Sequence, residues 1–97
     1  MNFIYRYRLK AVIKETDALL ARLAVVPDDD VQQLVQLKRV YNRMLDFATR
    51  TRRVTERAGL VMELPTISFA YPCDQSYAAL QRFLRVRREE LVGLVKS

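Results

Sequence analysis

Apolar residues recur every three or four positions along most of the chain, the pattern of helices with one buried face. Over residues 4–26, Tyr5, Leu9, Val12, Thr16, Leu19, Leu23 and Val26 form one seam, with Ile13 and Leu20 beside it. Arg6, Arg8, Lys10, Lys14, Glu15, Asp17 and Arg22 fall off that seam. Pro27 ends the helix, because it disfavours helical geometry at Val26. Asp28, Asp29 and Asp30 follow, and carboxylates there cap free N–H groups and complement the next helix dipole.

A second helix is expected from about residue 29 to 58, a stretch with no internal proline or glycine. Its seam is Leu37, Val40, Met44, Phe47, Thr51, Val54 and Ala58. Leu34, Tyr41, Leu45 and Ala48 widen the seam to an arc of roughly 160°, enough to face two neighbours, so this helix is expected at the centre. Gly59 followed by Leu60 reads as a glycine C-cap with its apolar contact.

Between Pro65 and Pro72 the period changes. Ile67, Phe69 and Tyr71 alternate with Ser68 and Ala70, as in extended chain, and residues 61–73 are expected to cross over the helices. The other reading of this segment is an edge that pairs with a partner's strand. A third helix should start at Asp74 or Ser76 and run to about residue 95, with Tyr77, Leu80, Leu84, Leu91 and Leu94 as its seam. Arg87 falls on that seam, so it must either extend past its neighbours or meet an acidic group of another helix or subunit. The expected fold is therefore all-α: a three-helix bundle with a long central helix and an extended crossover at about 61–73.

The totals agree with one such domain. The chain has 97 residues, 51% of them apolar, and only two glycines and three prolines, which suits a few long elements. No apolar run approaches the roughly 18 residues of a membrane span. The first arginines precede no apolar stretch of the kind that marks a secretory signal. One cysteine, Cys73, excludes an intrachain disulfide framework and fits a reducing, cytoplasmic setting. The chain has no histidine, which removes the commonest general base and the commonest metal ligand. Cys73 thus has no histidine to activate it, and neither catalysis, a cofactor nor a bound metal is expected.

Charge adds the only functional pointer. Seventeen basic residues against 11 acidic give a net charge of +6. Arg39, Arg43, Arg50, Arg53 and Arg57 lie on the second helix about 180° from Leu37, in a line about 27 Å long. Residues 38–57 hold seven basic side chains against two acidic ones, although Asp46 and Glu56 stand within helical reach of several arginines. A solvated outer face is the plain reading of that stripe. An acidic protein surface is the functional one, with Phe69 and Tyr71 as apolar anchors, and a homodimer is a further expectation. Nucleic acid is the alternative partner, held through its phosphates by the same arginines. No helix-turn-helix, zinc spacing or glycine-rich phosphate loop supports a sequence-specific reader. Tyr5 and Tyr7 interleave with Arg6, Arg8 and Lys10, but Tyr5 belongs to the core seam and leaves Tyr7 alone free. In the third helix, Arg85–Glu89 and Arg87–Glu90 pairs are expected at helical spacing.

Ile4, Tyr5 and Arg6 are similar to the Leu-Tyr-Arg signature of the small basic helical proteins of the mitochondrial LYR-motif family. The similarity covers these three residues and substitutes the first, and no function is carried over from it. The expectation is a small non-enzymatic adaptor, chaperone or regulator.

Overall fold

A computed structural model describes residues 2–97. It is all-helical: α1 spans Phe3–Ala24, α2 Asp30–Arg50, α3 Arg52–Arg57 and α4 Asp74–Lys96, with no strand among the described residues.

The Asn2 side chain caps α1, accepting from the Tyr5 N–H at 2.8 Å. The helix stops at Ala24, earlier than the seam suggests, and Val25 and Val26 lie exposed outside it. The Gln36 side-chain amide reaches back from α2 to the carbonyls of Arg22 (3.0 Å) and Val25 (2.5 Å), satisfying groups that a helix end leaves free. Asp29 caps α2 by accepting from the Gln32 N–H at 3.0 Å.

The expected second helix is divided. Thr51 sits at φ −95°, ψ 2°, outside helical geometry, and separates α2 from α3. Its hydroxyl donates to the Phe47 carbonyl at 2.7 Å, alongside its own N–H at 3.0 Å. A threonine that back-bonds to the preceding turn bends a helix. The hydrogen-bond ladder still crosses the bend, because the Thr55 N–H donates to the Thr51 carbonyl at 3.0 Å. Gly59 then ends α3 at φ 77°. The Leu60 N–H donates to Thr55 and the Gly59 N–H to Glu56, both at 2.9 Å, which is the Schellman arrangement.

Residues 61–73 form neither helix nor strand. Leu60, Met62, Leu64 and Ile67 pack on the core from this side. α4 begins after Cys73, not with a side-chain cap from Asp74 or Ser76. The Ser76 hydroxyl instead donates to the Ser68 carbonyl at 2.7 Å, tying the extended segment to α4.

One apolar cluster joins all the helices. α1 touches α2, α3 and α4, and its contact with α4 is the most extensive in the molecule. The two run antiparallel: Arg88 pairs with Asp17 at 2.5 Å, and the Gln81 amide donates to the Leu23 carbonyl at 3.1 Å. The expectation that the second helix is central is therefore corrected. The wide apolar arc of α2 is only part-used, with Leu45 exposed, whereas Leu9, Val12, Thr16, Leu19 and Leu23 of α1 are all buried. Thr16 is tolerated there because its hydroxyl donates to the Val12 carbonyl at 2.8 Å.

A Cβ at position 59 would meet nothing within 4 Å, so the cost of a side chain there is purely backbone. Gly59→Ala should lower stability by about 1–2 kcal/mol, the penalty of an L-residue in the left-handed region, read from a shifted urea midpoint at constant slope.

Candidate binding face

The five arginines of the expected stripe have three different environments. Arg50, in the last turn of α2, donates from Nε to Asp46 at 2.8 Å and from both terminal nitrogens to Glu15 of α1 at 3.2 and 3.3 Å. The hydrogen bond to Asp46, followed by that to Glu15, raises its pKa above the ordinary arginine value. Arg50 thus bridges two helices.

Arg57 is exposed but lies against α1. The bend at Thr51 brings α3 against the start of α1, and the Arg57 guanidinium sits 4.4 Å from the centre of the Tyr5 ring. The Tyr5 hydroxyl donates to the Val54 carbonyl at 2.9 Å, so the ring is held between α1 and α3. All five arginines are exposed, but Arg39, Arg43 and Arg53 have neither an ion pair nor an aromatic partner among the described residues. Arg52, between them in sequence, pairs with Glu56 at 2.8 Å.

Arg43 has a neighbour that the stripe did not include. Arg43 and Arg22 line a slot of about 220 Å³ between α1 and α2, whose apolar lining includes Ala18, Leu19 and Phe47. Arg50, Glu15 and Asp46 line it too, with both carboxylates already engaged by Arg50. Arg22 lies on another helix, so helical spacing within residues 38–57 gives no sign of it.

The aromatic pair lies elsewhere. Phe69 is 40% exposed and packs edge-on against Tyr41 of α2, ring centres 5.3 Å apart at 76°. Tyr71 is 55% exposed. Interaction with the Asp30 carboxylate raises the phenol above its ordinary pKa, while burial does the same to Tyr77. Tyr41 and Asp30 both stand about 180–200° around α2 from Arg39 at 100° per residue. The structure therefore places the arginines and the aromatic pair on opposite sides of α2.

In α4, Arg87 pairs with Glu90 at 2.6 Å and stacks 5.3 Å from the Phe83 ring centre. Its buried Nε has no hydrogen-bond partner. The expected Arg85–Glu89 pair is not formed, and the interhelix pair in this region is Arg88–Asp17. Cys73 is buried at the start of α4, with its thiol 3.7 Å from the Ala70 carbonyl. Among the described residues no cluster of metal-ligating side chains occurs, and no helix is long and apolar enough to cross a membrane.

No family model, curated protein or solved structure matches the chain.

Two measurements test the assignment. Arg57→Ala should cost about 0.5–1 kcal/mol in urea unfolding through loss of its stacking on Tyr5, whereas Arg39→Ala and Arg53→Ala should stay within about 0.5 kcal/mol of the parent. In a phenolate absorbance titration, Tyr71→Phe should remove a late-ionising phenol, and Asp30→Asn should move that phenol back toward the ordinary value. The sign follows from linkage: a phenol whose folded pKa is raised contributes stability below the unfolded value near 10, lost as pH rises through the folded value.

Proposed function

We propose that the protein is a small non-enzymatic adaptor, chaperone or regulator that binds an acidic surface of a partner protein through Arg39, Arg43 and Arg53. In this reading three long helices, α1, α2 and α4, form a bundle that serves as a rigid frame, and the 61–73 segment crosses over them. The observation that carries the reading is the set of three exposed arginines on α2–α3 that have neither an ion pair nor an aromatic partner among the described residues. Arginine's planar fork suits carboxylates, and unpaired neighbours of like charge repel until an anionic group joins them. The slot beside Arg43 and Arg22, with an apolar lining, suits a carboxylate carried on an aliphatic stem. Arg50 and Arg57 have framework roles and contribute positive potential without contacting the partner.

Phe69 and Tyr71 form a second contact on the other side of α2, so a partner that uses both surfaces reaches around the helix. Self-association as a homodimer belongs to the same reading. The reading places the protein in the cytoplasm, with no cofactor.

A second reading, phosphate binding to nucleic acid, draws on the same three arginines and the net charge of +6. The two differ in salt dependence. Three phosphate contacts give log K falling with log salt at a slope of about 2.7 on duplex DNA, and no binding to DNA or RNA at about 50 mM salt overturns the phosphate reading. For the adaptor reading, crosslinked capture from the native host should recover a partner with the parent protein and lose it with Arg39→Glu/Arg43→Glu/Arg53→Glu. Identical recoveries from the two proteins would sink it.

A further inference from the structure

The start of α1 carries an apolar face that the core does not use. Phe3 is 84% exposed, Ile4 63% and Tyr7 69%. At about 100° per residue, Phe3, Tyr7, Ala11 and Ile4 span one arc centred about 150° from the buried seam of Leu9 and Val12. Arg8 borders this arc on one side, and Arg6 and Lys10 border it on the other. Lys14 closes its C-terminal end. All four cations are exposed, none is in an ion pair among the described residues, and residues 2–14 contain no acidic side chain.

We propose that this face of α1 docks on an anionic lipid surface, with Phe3, Ile4 and Tyr7 entering the interface and Arg6, Arg8, Lys10 and Lys14 meeting the headgroups. An apolar arc bordered by cations is the pattern of interfacial helices, whose basic side chains extend to phosphate level while the apolar ones enter. The stripe on α2 has no such role, because its opposite face is the core. On α1 the apolar arc lies outside the core. A second copy of the chain is a poor occupant, since four unpaired cations would meet four more. Cations on both borders of the arc and at its end match a surface that is anionic throughout, as a bilayer of acidic headgroups is. The inference is independent of the partner assigned to Arg39, Arg43 and Arg53.

The test is flotation of the full chain with vesicles. Binding is expected to phosphatidylcholine vesicles containing about 30% phosphatidylserine at about 50 mM salt, and not to phosphatidylcholine alone. Phe3→Ser/Ile4→Ser/Tyr7→Ser and Arg6→Glu/Lys10→Glu should each weaken it at least about tenfold, with unchanged circular dichroism. Arg39→Glu/Arg43→Glu/Arg53→Glu should leave it intact, which separates this face from the stripe. The chain has no tryptophan, so a Phe3→Trp variant gives one emitting indole, expected to shift to the blue on anionic vesicles only. The proposal is overturned by absence of flotation, by an unshifted emission, or by equal loss in the stripe variant. Binding of poly-glutamate that needs Phe3 and Tyr7, with no flotation, reassigns the face to an acidic protein.

Discussion

Leu9, Val12, Thr16, Leu19 and Leu23 make one buried stripe along α1, and the other three helices all rest against that helix. Burying each such leucine is worth about 1.5–3 kcal/mol, more than any surface ion pair in the molecule supplies. The polar contacts refine what the stripe sets. Arg88–Asp17 and Gln81–Leu23 fix the antiparallel setting of α4, and Arg50–Glu15 holds α2 alongside. α1 is continuous over Phe3–Ala24, and its packing on α4 is the most extensive between any two helices.

That arrangement also sorts the charge. Arginines that can reach α1 or a local acid are held there: Arg50 on Glu15, Arg57 on Tyr5, Arg88 on Asp17. The others lie on outer surfaces, among them one along α2–α3 and one around the first turns of α1. The net charge of +6 is thus unevenly distributed, and its free part sits where anionic partners have access.

The seams of α1 and α4 and the stop at Gly59 were legible because each depends on local geometry alone. A period near 3.6 marks a buried face, and glycine is the residue that takes φ 77° without strain. The break at Thr51 was hidden, since threonine is tolerated within helices and its hydroxyl bends one only where packing favours the bend. The choice of α1 over α2 as the centre was hidden for a related reason: a wide apolar arc shows what a helix can cover, not what arrives to be covered. At the binding face, spacing placed five arginines in line, but Glu15 and Tyr5, which hold two of them against α1, are far away in sequence. The outer apolar arc of α1 is written in the spacing of residues 3, 4 and 7 against the seam, but the denser charge of the second helix is the stronger signal.

The extended segment bears differently on the molecule's dynamics. Among the described residues, no N–H from 61 to 72 donates to another backbone carbonyl, so side chains alone hold this stretch in place: Met62, Leu64 and Ile67 in the core, and Ser76 on the Ser68 carbonyl. Amide protons here have no ladder to protect them and exchange with solvent without waiting for the helices to open. The chain is therefore two protected blocks, α1–α3 and α4, joined by a strap with almost no protection of its own. Phe69 and Tyr71 both lie on that strap, outside either block.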